Sequence, residues 1–250
     1  MTTDISPMTA PETAPATPAR MSFGAKCINI FTNPRRVFES LGGGHEWVIL
    51  WLIVSAVAIA GYFPIKDIVK TAKIQEVQQQ LDANPQVSAE QKQVIMDRME
   101  SQFDNPLWTL LTPVFFLIAM TVVAAILLFI ANIILGGNTR YLTCLNAYAW
   151  ASMVAIPATI VTVPLVMAKG SMDVSLGLGV LTSAETGAFL KKLLTSFEVF
   201  GLWQVWLSSL AVSILGKSSP GKAFSAVFVA WLVWVLVQGG LASIGVNFGA

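Results

Sequence analysis

Four amides stand inside otherwise apolar runs: Asn132, Asn146, Gln204 and Gln238. In hydrocarbon an amide must find a hydrogen-bond partner, and a neighbouring helix is the nearest source. They are expected to be interhelical polar groups; lining a solute path is the second use such residues have. Four basic residues form the other set: Arg35, Arg36, Lys217 and Lys222. Each lies at the edge of an apolar run, where cationic side chains meet anionic lipid headgroups.

The remaining candidates for chemistry are thin. His45 is the 1 histidine and has no second ligand beside it, so a solvated place at the membrane edge is expected. Cys27 and Cys144 are far apart, form no CxxC and read as free thiols. Such a set implies no metal centre and no cofactor. GxSxG, HExxH, a Ser/His/Asp set and paired carboxylates within a span are all missing. Gly42-Gly43-Gly44 follows no strand and lacks the GxxxxGK[ST] frame of a phosphate loop. Charged groups inside spans mark most proton relays and ion paths, and the span interiors read here hold none. The expectation is a protein that is not an enzyme.

Composition says what must position these residues. The chain of 250 residues is 55% hydrophobic and 12% charged, against about 25% charged in a soluble domain. Mean hydropathy is +0.68. Only several membrane spans account for that. A net charge of +1 gives no ground for a nucleic-acid partner. The fold class expected is all-α, a polytopic integral membrane protein with five transmembrane helices and a helical extramembrane hairpin between spans one and two.

Taken in order, residues 1–20 are rich in Thr, Pro and Ala and predict a disordered tail, not a signal peptide. Residues 21–46 predict a cytoplasmic amphipathic segment. Asn33-Pro34 opens a helix there, and Phe31, Val37, Phe38 and Leu41 line its apolar side. The first span covers 47–63, with Trp47 and Tyr62 near its ends and Pro64 ending it. Residues 64–106 predict an extracytoplasmic helical hairpin, broken at Asn84-Pro85. Its second helix opens with a capping box at Ser88-Ala89-Glu90-Gln91. Residues 107–250 predict four further spans, at about 108–135, 141–168, 197–215 and 223–246. Pro157 and Pro164 should kink the third, where Ala147, Ala151 and Ala155 form a stripe for close approach. Residues 169–196 predict an interfacial loop and then a helix from about Ser183. The last two spans form a hairpin about the basic turn Gly216-Lys217-Ser218-Ser219-Pro220-Gly221-Lys222. Basic residues concentrate in the short segments on the N-terminal side, which places the N-terminus in the cytoplasm and the C-terminus outside.

Two stretches carry a family resemblance. Asn33-Pro34-Arg35-Arg36-Val37-Phe38 is similar to the Pro-x-x-x-Phe approach to the first span in the Yip (Ypt-interacting protein) membrane family, bacterial branch. Phe197-Glu198-Val199-Phe200-Gly201-Leu202-Trp203, followed by Gly216 to Ala223, resembles that family's aromatic fourth span and basic turn. The motif positions are thus Pro34, Phe38, Phe200, Trp203, Gly216, Lys217, Gly221 and Lys222. The resemblance implies five spans and a cytoplasmic N-terminus. Eukaryotic members are implicated in vesicle traffic and contact Rab-type GTPases. The DLxGP-like stretch of that branch is not intact, its nearest counterpart being Asn105-Pro106-Leu107-Trp108, so GTPase binding is not carried over.

The function this supports is a non-enzymatic multispan protein that organises membrane or recruits partners; the alternative is a small-molecule permease or channel. Expected partners are the lipid bilayer, other proteins or a second copy of the chain. The expected place is the bacterial inner membrane. Three packing expectations follow. Asn132 and Asn146 should meet across the 136–140 turn. Gln204 and Gln238 should pair across the last hairpin. Ser209 and Ser213 should face Ala226 and Ala230, with Trp203 and Trp206 outside that seam.

Overall fold

The computed structural model describes residues 21–82, 86–183 and 185–243, so the expected tail at 1–20 and the end of the last span lie outside the described residues. The described chain is all-helical. In order the helices are α1 (Phe23–Thr32), α2 (Pro34–Glu39), α3 (Glu46–Tyr62), α4 (Lys66–Asp82), α5 (Ala89–Asp104) and α6 (Pro106–Phe129). Then come α7 (Tyr141–Ala151), α8 (Ala155–Lys169), α9 (Ala188–Ser196), α10 (Val199–Leu215) and α11 (Pro220–Ser243). Among the described residues, four continuous helical stretches are long and apolar enough to cross a membrane: Glu46–Asp82, Thr109–Ile134, Tyr141–Lys169 and Pro220–Ser243. Val199–Leu215 is apolar but shorter, at 17 residues.

Proline placement explains the joints. Pro64 does not end the first helix, contrary to the sequence expectation. A 3₁₀ turn over Phe63–Ile65 takes up the missing N–H, Lys66 N bonds Phe63 O, and the helix continues to Asp82. At 37 residues this rod is about 55 Å long. The 3₁₀ turn Ser152–Val154 lies just before the helical turn holding Pro157 and separates α7 from α8. Pro164 is absorbed within α8. The end of α6 widens into a π turn at Ile130–Ile134, which the sequence did not announce.

α7 is the centre of the bundle. It packs on α3, α6 and α10 and buries Cys144, Leu145, Asn146, Ala147, Ala149, Trp150 and Ala151. Two members of the expected alanine stripe, Ala147 and Ala151, are in that set. One core joins α1, α2, α3, α7 and the side of α10 bearing Leu207 and Ala211. A second joins the end of α6, the π turn and α11 to the side of α10 bearing Val205 and Val212. The 136–140 turn and the 216–219 turn meet glycine on glycine. A Cβ on Gly137 would lie 2.8 Å from Gly216 Cα and 2.8 Å from Ala131 O. A side chain on Gly137 would therefore strike the backbone of the 216–219 turn, while one on Gly216 would crowd Val212 O, Ala131 O and Leu135 at 3.0–3.3 Å.

Candidate functional site

The two stretches that carry the family resemblance meet in space. Pro34 occupies the first turn of α2, where its missing N–H costs nothing. The short helix then turns Val37 and Phe38 into the core, both fully buried, against the α10 face bearing Leu207 and Ala211. Phe200 and Trp203 pack on the same cluster from the start of α10, their rings stacked at 6.5 Å. Phe31 of α1 meets Trp203 edge-on at 5.9 Å. Gly216 supplies the close turn contact, and Lys217 sits beside it with a left-handed φ of 48°. Gly221 has open space around it and Lys222 is exposed. Arg35 and Arg36 are exposed as well. All four expected headgroup-facing cations thus reach solvent.

Beneath this aromatic contact lies a polar network. Lys26 projects from α1 and is only 4% exposed. Its Nζ donates to both oxygens of Glu46, at 2.7 and 2.9 Å. Nε1 of Trp150, itself fully buried on α7, donates to Glu46 Oε2 at 3.0 Å. Phe23 packs on the Trp150 ring at 5.3 Å. One turn earlier on α7, Asn146 accepts from Trp47 N at 2.8 Å and donates to Gly44 O at 2.6 Å. A buried charge is costly unless paired and hydrogen-bonded, and Lys26 meets both conditions. The network ties α1 and the 42–47 approach to the middle of the bundle. Burial raises the Cys27 thiol above its ordinary value, its backbone hydrogen bond lowers it in part, and the Glu46 carboxylate adds to the rise.

The four amides divide. Asn146 bridges elements, but its partners belong to the approach to α3, not to Asn132. Asn132 instead donates to Thr139 O at 2.9 Å and accepts from Thr139 N at 2.8 Å, holding its own turn closed. The π turn and the fold-back of residues 136–140 bring Thr139 within its reach, which takes the amide away from α7. Gln204 donates to Ser152 Oγ at 3.2 Å, and Ser152 donates to Tyr148 O at 2.9 Å. Its partner is the interrupted third span, not Gln238 on α11. Gln238 is half-buried on α11. Ser209 and Ser213 are buried, and each hydroxyl bonds back within its own helix, to Val205 O and Leu210 O. Trp206 is 46% exposed, while Trp203 is held against Phe31.

Lys26, Glu46 and Trp150 were not singled out from the sequence, although a signal was present. Lys26 falls between Phe23 and Ile30 at helical spacing, on the apolar side of α1. Glu46 is the only acid between Ser40 and Lys66. A lysine on an apolar face and a lone acid at a span's start are each other's natural partners. Among the described residues, no group of acids, histidines and cysteines is placed to hold a metal ion.

A helical chain with four membrane-length apolar stretches, packed around a buried α7, is a multi-pass membrane protein. The Yip1 domain family matches residues 28–242, and the chain belongs to that family. The match takes in both motif stretches, Glu46 and Trp150, and begins just past Lys26. No curated protein and no solved structure matches the chain.

Proposed function

We propose that this is a non-enzymatic protein of the Yip type that organises membrane or recruits partners. In this reading it has five spans, with Val199–Leu215 the short fourth, and sits in a bacterial inner membrane with its N-terminus in the cytoplasm. The observation that carries the reading is how the reactive-looking side chains are used. Lys26, Glu46, Asn146 and Gln204 are each committed to bonds that fasten one helix to another. Surface is left for partners on the other side of the spans. There α4 and α5 form an extracytoplasmic pair on which Val94 and Ile95 stay exposed.

A photo-crosslinking residue at Val94, activated in intact cells, tests this. One stoichiometric protein neighbour is expected, and it should be lost when Val94 and Ile95 are both made Ser. A second reading, a permease, draws on the 3₁₀ interruption of the third span beside Gln204. Uptake of a solute by proteoliposomes, abolished by Gln204→Leu, would replace the first reading with the second.

A further inference from the structure

We propose that the groove between α2 and the α10–α11 turn binds the phosphate of an anionic phospholipid. The groove holds about 330 Å³ and is lined by Arg35, Glu39, Leu210, Ser213, Ile214, Lys217, Ser218 and Pro220. Its lining has two parts. Leu210 and Ile214 form an apolar wall along α10, suited to an acyl chain. Arg35, Lys217 and Ser218 form a polar rim, suited to a phosphate.

Each rim group is available. Arg35 uses Nε to bond Glu39 Oε1 at 2.7 Å, and that bond leaves its two terminal nitrogens free to donate. The Glu39 carboxylate lies in the same groove and offsets one positive charge. Lys217 is exposed and projects from a left-handed backbone position. Ser218 lines the groove, and its Oγ, turned away from solvent, has no hydrogen-bond partner among the described residues; a rotation about χ1 would bring the hydroxyl to an acceptor in the groove. Pro220 begins α11, a helix of 24 residues with no acid in its first turn. Its first amides carry no intrahelical acceptor and present positive potential to the same groove. A phosphate oxygen satisfies the hydroxyl, the cations and the helix end together. The apolar wall continuing below the rim selects a lipid over free phosphate.

The inference rests on the membrane reading above but not on partner recruitment, so either can fail alone. The test uses the full chain in neutral detergent, with retention measured by native mass spectrometry. The probes are phosphatidylglycerol, phosphatidylcholine and inorganic phosphate. Wild-type protein should prefer phosphatidylglycerol to phosphatidylcholine. Arg35→Gln with Lys217→Gln should cut that preference by about thirtyfold, at roughly one surface cation's worth of attraction for each residue. Arg98→Gln with Lys191→Gln removes the same charge from exposed sites elsewhere and should leave the preference intact. Equal loss in both double variants would mean diffuse charge attraction and overturn the site. Protection by inorganic phosphate equal to that by phosphatidylglycerol would overturn the lipid assignment.

Discussion

The N-terminal helices and the α4–α5 pair make an instructive contrast. Both flank the first span, and both carry lysines among apolar residues. One is built into the bundle. α1 and α2 bury Lys26, Ile30, Val37 and Phe38. In the other, α4 has no buried residue at all, and Val94 and Ile95 of α5 remain exposed. Hydrophobic periodicity does not explain the difference, because α5 also has an apolar side. The bundle does. Next to α1 it offers Glu46, fixed by Trp150, as a charge partner. α4 and α5 are tied to each other, with Lys92 donating to Asp82 at 2.9 Å, while no residue of α4 is drawn into the core. An amphipathic segment becomes part of a membrane fold when the spans supply a partner for its polar groups.

The largest effect should come from removing that partner. Glu46→Ala leaves Lys26 buried without a countercharge, a loss of about 3 kcal/mol for a pair that is not fully enclosed. Thermal unfolding in detergent should show it directly. In a Cys144→Ala background, maleimide should also label Cys27 faster, because release of α1 exposes the thiol and restores its ordinary acidity. Lys26→Met should cost far less, since Glu46 keeps Trp150 and is itself part-exposed. The double change Lys26→Met with Glu46→Gln should recover most of the loss. Equal damage from both single changes would mean that α1 is not held by the ion pair.

Next in size is Asn146→Leu. It strands the Trp47 N–H and the Gly44 carbonyl inside the bundle, at a cost of about 2 kcal/mol. The unfolding temperature should fall, with Cys27 labelling rising less than in Glu46→Ala. Asn132→Leu should do less, because that amide serves one turn. A larger effect at Asn132 than at Asn146 would shift the anchor from the approach to α3 to the 136–140 turn.

These predictions also mark where sequence reading stopped. The helical membrane class, the helix opening at Asn33-Pro34 and both motif stretches were legible, because each is a local pattern of length, apolar spacing or turn chemistry. The partners of the amides were not. Equal distance from a turn places two residues at similar depth only if the turn is tight. The π turn at Ile130–Ile134 and the fold-back of 136–140 break that premise for Asn132 and Asn146. Gln204 found Ser152 because a 3₁₀ turn before Pro157 carries a hydroxyl opposite it, a matter of which helices are neighbours. Pro64 misled for another reason. A proline ends a helix only where the chain cannot spare one turn to 3₁₀ geometry. The convergence of the two motif stretches was hidden altogether, since it depends on α2 folding back against α10.

The glycines sharpen the contrast within one motif. Gly216→Ala places a Cβ 3.0 Å from Val212 O and 3.2 Å from Ala131 O, and should cost about 1–2 kcal/mol by overpacking two turns. Gly221→Ala meets nothing within 4 Å and should leave unfolding unchanged within about 0.5 kcal/mol. Reversal of that order would mean that the turns separate in solution.

The last test belongs to the other region and probes its independence. Ser88 caps α5 by accepting from Gln91 N at 3.2 Å, while Gln91 Oε1 accepts from Ser88 N at 3.1 Å. Ser88→Ala removes half of that box and should weaken α5 by about 1 kcal/mol. No described residue of α5 is buried, so the loss stays local. Hydrogen exchange should quicken through the first turns of α5, while the unfolding transition of the spans stays where it was. The same substitution in a helix coupled to the bundle would move that transition. A fall of the main transition after Ser88→Ala would therefore show that α4 and α5 are fastened to the spans as firmly as α1 and α2. It would then be the exposed Val94 and Ile95, and not the cap, that need a different explanation.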